Sequence, residues 1–173
     1  MVRKITRHPA TLAALALVLA LSIVSTIAIA AHYRKKPLIP VVVRKAVTYT
    51  IFVPNGAGDY SLKTPTLNYV MTTQQLSYHL KNTAGSDVLL SMQPSPESFS
   101  DVPQVYEALV GKLNQYASFD SVQGRVFLTR PKELNGAQSA VMNAKGTLLF
   151  ARPSKDLTED QWRSFFAYMV VYQ

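Results

Sequence analysis

Cysteine is absent from the 173 residues. That excludes disulfides, thiolate metal sites, cysteine nucleophiles and the modified cysteine of a lipoprotein anchor. Glycine is sparse, with seven in the chain, and none falls in G-x-G-x-x-G or a P-loop, so a nucleotide phosphate has no backbone cradle. Histidine is nearly missing too. Only His79 lies beyond the first 45 residues, and there is no D-x-D-x-D-G loop, so metal ligation finds neither a histidine pair nor a carboxylate frame. Acidic residues are missing from positions 1–45, which carry Arg3, Lys4, Arg7, Arg34, Lys35, Lys36, Arg44 and Lys45. Residues 46–173 balance ten basic against ten acidic side chains, so the whole formal charge of +8 sits in the first 45. A domain of zero net charge has no electrostatic footprint for nucleic acid, and none is expected as a partner.

What the chain does have is one long apolar run, Pro9 to Ala31, of 23 residues without a charge. As a helix it would reach roughly 34 Å, against a bilayer core of about 30 Å. It reads as a single-pass transmembrane helix, and the lipid bilayer is the first expected partner. The order basic, apolar, small is that of a secretory signal, and Ala28-Ile29-Ala30 matches a cleavage pattern. A removable signal has an apolar core of about 7–15 residues, so an uncleaved signal-anchor is favoured over a cleaved peptide. Flanking basic residues and an aromatic then form the membrane interface: Arg3, Lys4, Arg7, Tyr33, Arg34, Lys35 and Lys36.

Orientation is contested within the sequence. Three basic residues precede the run and five follow it closely, which by count alone leaves the C-terminal domain in the cytoplasm. The short tail and a domain with 37 Ser, Thr, Asn and Gln against 20 charged residues favour the outside. The organisation expected is thus a basic tail at 1–8, the signal-anchor at 9–31, a basic juxtamembrane stalk at 32–45 and an extracytoplasmic domain at 46–173, in the cell membrane. Pro37 and Pro40 predict an extended stalk running into a strand.

Within the domain, alternation predicts strands over Val41–Pro54, Leu67–Thr72, Leu76–Lys81 and Val88–Gln93, the last two as a hairpin across Thr83–Asp87. Pro94 to Asp101 reads as an irregular connection. Asp101 is the expected N-cap of a helix reaching Tyr116, with Val105, Leu109 and Leu113 on its apolar face. A strand over Arg125–Thr129 and a hairpin joining Ala137–Met142 to Thr147–Ala151 follow. Thr158 and Gln161 form a T-x-x-Q capping box, Leu157 and Trp162 a hydrophobic staple. Trp162, Phe165, Phe166, Met169 and Val170 recur at helical spacing and predict a core-facing stripe. The fold class is α+β: the N-terminal transmembrane helix, then an antiparallel sheet with two helices packed against it.

No residue is assigned a catalytic, cofactor-binding or metal role. His79 is expected to face solvent, and no serine has a G-x-S-x-G context. Arg125, Arg130, Lys132, Arg152 and Lys155 form a candidate anion patch, opposed by Glu133 and Asp156, which favours a mixed solvated surface.

The anchor, the strand pair ending in LLSMQPSPESF, the V-F-L-T and TLLFARP strands and the closing D-L-T-E-D-Q-W helix resemble a broad group of uncharacterised, single-pass, membrane-anchored envelope domains of Gram-positive-type bacteria. The order is also similar to the small α+β fold of the photosystem-associated PsbP group. Neither resemblance implies an activity or site residues. The expected role is a non-enzymatic binding or scaffold domain of the envelope, with an envelope protein, a cell-wall component or a lipid as ligand. A cytoplasm-facing regulatory domain and a membrane-surface hydrolase are the alternatives.

Overall fold

The computed structural model describes residues 38–63 and 66–172. The apolar run 9–31 and the interface residues Arg3, Lys4, Arg7, Tyr33, Arg34, Lys35 and Lys36 lie outside them. Among the described residues no helix is long and apolar enough to cross a membrane.

One antiparallel sheet carries the domain. Its strands are β2 (Tyr60–Leu62), β3 (Asn68–Val70), β4 (Gln75–Asn82), β5 (Asp87–Pro94), β6 (Gln115–Ser121), β7 (Gly124–Thr129), β8 (Ser139–Ala144) and β9 (Thr147–Pro153). They lie in the order β2-β4-β5-β9-β8-β7-β6, with β3 also paired to β4. β1 (Phe52–Pro54) and β10 (Met169–Val171) form a separate two-stranded ribbon. The helices are α1 (Val41–Ala46), α2 (Glu97–Asp101), α3 (Pro103–Lys112) and α4 (Glu159–Ala167). The mixed α+β class with an antiparallel sheet is as expected; four described helices replace the expected two.

Alternation decides which face each strand buries. Leu76, Tyr78 and Leu80 of β4, Val88, Leu90 and Met92 of β5, and Leu149 and Ala151 of β9 share one face and are buried. Ala140 and Met142 of β8, Val126 and Leu128 of β7 and Phe119 of β6 continue it. The main core lies on this face, beneath α4 and the β1–β10 ribbon. The Thr158 capping box is formed as expected, and Trp162, Phe165 and Phe166 of α4 are buried with their rings packed together. Phe119 meets Phe166 edge-on at 6.0 Å, and Tyr60 meets Phe165 at 4.9 Å. Phe52 turns its backbone toward the sheet: its N–H points to Met92 Sδ at 3.3 Å, and the Tyr78 hydroxyl donates to its carbonyl.

The hairpins stand where alternation put them. The β8–β9 turn places Lys145 and Gly146 both at positive φ (52° and 74°), the pair of left-handed residues that a tight hairpin requires. Several expectations fail. Residues 41–46 form α1 rather than a strand, and Ile39 and Val43 are buried in the core, so the supposed extended stalk contributes to the domain. Three β-branched residues favour a strand locally, but the turn set by Pro40 and the burial of Val43 outweigh that preference. Residues 97–101 are helical, not irregular, and α3 starts from Val102 without a side-chain cap. Tyr106 and Val110 face the sheet, while Val105 is exposed. The chain then leaves the helix after Lys112, and Tyr116 belongs to β6, which the pattern did not reveal. α4 stops at Ala167, so Met169 and Val170 are strand residues of β10.

Candidate functional site

The second face of the sheet is covered unevenly, and that unevenness makes the site. Over β7, β8 and the start of β9 it is roofed by α2 and α3. There Tyr106 packs at a tilt against Phe99 at 5.3 Å and edge-on against Phe127 at 5.7 Å, above the buried Val141 and Leu148. Among the described residues no helix lies over β4, β5 and the rest of β9. The register aligns Ser77 with Ser91 and Ser91 with Phe150 in one row, and His79 with Leu89 and Leu89 with Arg152 in the next.

The edge of the roof and this bare face enclose a groove of about 480 Å³. Leu89 and Phe150 give its floor an apolar centre. Gln75, Ser77, Ser91 and Ser139 ring that centre, and Leu113, Pro131 and Leu134 form the wall. Gln75 Nε2 donates to Ser91 Oγ at 2.6 Å, and Thr129 Oγ1 meets Ser139 Oγ at 2.9 Å, so several floor polar groups are already paired.

The wall is held by backbone. Asn114 takes φ 56° as α3 ends, and its carbonyl accepts from Arg130 N at 3.1 Å while its side chain donates to Arg130 O at 3.3 Å. Residues 132–134 form a 3₁₀ turn closed by Gly136 N donating to Pro131 O at 3.0 Å. The Arg130 guanidinium donates to Gly136 O at 3.1 Å, pairs with Asp156 and lies over the Tyr116 ring at 5.5 Å.

A smaller cavity of about 230 Å³ adjoins the groove and shares Leu89 and Arg152 with it. His79, Asp87, Pro153 and Ser154 complete its lining. The His79 ring is half-buried here rather than facing open solvent, and it makes no hydrogen bond to a serine or carboxylate, so no triad is assembled. Asp87 Oδ1 is buried with no hydrogen-bond partner among the described residues.

The basic residues considered as an anion patch do not converge. Arg130 is spent on Asp156, and Arg125 lies over Phe127 with a hydrogen bond to Ser118. Of the five, Arg152 lines both the groove and the smaller cavity. Among the described residues no three His, Asp or Glu side chains cluster to hold a metal. Phenols with displaced titration lie elsewhere. Burial pushes Tyr49 up to about 12. Burial also raises Tyr78, Tyr106 and Tyr60, opposed in Tyr106 by the Asn143 backbone and in Tyr60 by a hydrogen bond to Asn82. None of these four lines the groove. Chemically, the groove can shelter an apolar body and offer hydroxyl and amide groups to its edges.

Sequence reasoning missed the groove. One signal was present: Leu148 and Phe150 share a face with the polar Ser91 and Gln93, an apolar interruption of a polar surface. Compared with known proteins, the chain matches no family model, no curated protein and no solved structure.

Proposed function

We infer that this is a membrane-anchored, non-enzymatic binding domain of the cell envelope, displayed outside the membrane, with the groove on the bare sheet face as its ligand site. The groove carries this reading. Its volume falls within the roughly 300–1,000 Å³ typical of ligand pockets, and its apolar floor with a polar ring is their usual composition. Anchorage rests on the 23-residue apolar run, and display outside rests on the neutral polar composition of residues 46–173. The ligand is a lipid, a cell-wall fragment or an apolar segment of an envelope protein.

Two experiments test it. The full chain is placed in phosphatidylcholine nanodiscs and titrated with anilinonaphthalene sulfonate, subtracting empty discs. Bound-dye fluorescence should fall several-fold in the Leu89→Arg, Phe150→Arg double variant, which blocks the floor; equal fluorescence sinks the groove as a site. A reporter active only outside the membrane is fused after Gln173. Activity supports display outside, and its absence with an intact fusion assigns the domain to the cytoplasm.

A further inference from the structure

Single exposed apolar side chains are ordinary on protein surfaces, but grouped ones mark contact with something apolar. Eleven large apolar residues are exposed among the described residues. Five of them fall on two segments: Leu38, Val41 and Val42 where the chain enters the domain, and Val70 and Met71 where β3 turns toward β4. Three hydrogen bonds hold the segments side by side. Tyr69 Oη donates to Ala46 O at 3.2 Å, Thr48 Oγ1 to Gln74 Oε1 at 2.7 Å, and Tyr49 Oη to Gln74 O at 2.7 Å. Val42 is 78% exposed and Met71 74%, among the highest values for apolar side chains in the domain.

α1 explains why the apolar groups point outward. Val43 turns one face of the helix into the core, next to Ile39, which is buried just before the helix begins, and this leaves Val41, Val42 and Lys45 exposed. Charge completes the pattern. Arg44 and Lys45 are exposed in the last turn of α1, and Arg34, Lys35 and Lys36 stand just before the domain. Neither segment contains an acid: none occurs over residues 38–58 or 66–75. Exposed apolar groups on two segments that carry cations and no acid have the composition of an interfacial membrane face.

We propose that this face, formed by α1 and the β3–β4 turn, docks on a bilayer containing anionic lipid, the same bilayer that holds the chain's anchor. The inference rests on the membrane-anchored reading. It draws further on the length of chain before the domain: the six residues 32–37, fully extended, reach at most about 21 Å, so a bilayer spanned by 9–31 is never far from Leu38. Val42 and Met71 enter the boundary between headgroups and acyl chains, and the basic residues meet lipid phosphates. Docking fixes the orientation of the domain on the membrane, and with it the direction in which the groove opens.

The absence of cysteine makes the test clean, because every introduced thiol is unique. Val42→Cys, Met71→Cys and Val122→Cys are made in the full chain, labelled with an environment-sensitive dye and reconstituted in vesicles of phosphatidylcholine with phosphatidylglycerol. Val122, also 78% exposed but on the β6–β7 turn, is the comparison site. Lipids spin-labelled high on the acyl chain should quench the dye several-fold more at 42 and 71 than at 122. A dye at Val41→Cys should be released by adding Val42→Asp and Met71→Asp, exposed changes that leave the core intact. Equal quenching at all three sites, in chains that stay with the vesicles through alkaline extraction, overturns docking and leaves the anchor standing. Chains lost from the vesicles overturn both. Protection at 42 and 71 that disappears on dilution into empty vesicles assigns the face to a second copy of the chain, and also overturns the proposal.

Discussion

Replacing Tyr78 by phenylalanine removes one oxygen from the centre of the domain and should cost more than its size implies. Tyr78 is fully buried on β4, and its hydroxyl donates to the carbonyl of Phe52. That carbonyl has no partner in the ribbon. Ile51 O takes the ladder bond from Tyr172 N at 2.8 Å, and Phe52, one residue on, points its polar groups the other way, into the core. Tyr78→Phe therefore strands a buried acceptor, at about 1–3 kcal/mol, without opening a cavity. For a domain of this size that lowers the melting temperature by about 3–9 °C. Trp162, the only tryptophan and fully buried, reports unfolding in urea by fluorescence. The midpoint should fall with an unchanged slope. The same variant carries a signature in alkali. A buried phenol ionises more readily in the unfolded chain, so the stability it contributes is complete below about pH 10 and is lost as the pH rises through its elevated folded value. Tyr78→Phe should thus lose less stability than the parent above pH 10. A variant within about 0.5 kcal/mol of the parent at neutral pH, with the same alkaline decline, would refute the claim that this bond ties the ribbon to the sheet.

Thr158→Ala removes the hydroxyl that caps α4 through Gln161 N and should cost about 1 kcal/mol, read as a lowered urea midpoint. Gln138→Leu leaves Leu157 N and O without the side chain that now bonds both, at 2.8 and 3.0 Å; a loss of about 2–4 kcal/mol and faster amide exchange at Leu157 are expected. Gly58→Ala would place a Cβ 2.6 Å from the Tyr168 ring, so it should destabilise by about 1–3 kcal/mol, and adding Tyr168→Ala should recover most of that in a double-mutant cycle.

The parts of the fold legible in the sequence are those whose causes are local. The Thr158–Gln161 box and the β4–β5 and β8–β9 hairpins announce themselves within a few residues, because caps and tight turns need particular side chains at fixed offsets. Elements set by distant partners were not legible. α1 reads as a strand because three valines say so locally, whereas its helical form goes with Val43 being buried in the core beside Ile39, a tertiary contact. Met169 and Val170 extend the helical stripe of α4 in the sequence, yet pairing with Val53 and Pro54, more than a hundred residues away, draws them into β10. The groove is a product of the same kind. It exists because α3 ends at Lys112 and leaves Phe150 unroofed, a relation between helix length and sheet width that no short window contains.

The β1–β10 ribbon bears on how the protein is made. It joins Phe52 to Val171, so the first strand waits for the last one to leave the ribosome. Until residues 159–171 exist, Trp162, Phe165 and Phe166 cannot cover the buried face of the sheet. Folding vector and synthesis vector are therefore opposed: the hairpins can form as they emerge, but cooperative closure is deferred until residues 159–171 have emerged. Under the proposed display outside the membrane, that delay would keep the polypeptide thin enough to pass. It also makes nascent fragments ending before residue 159 aggregation-prone, with an open apolar sheet and no helix to close it.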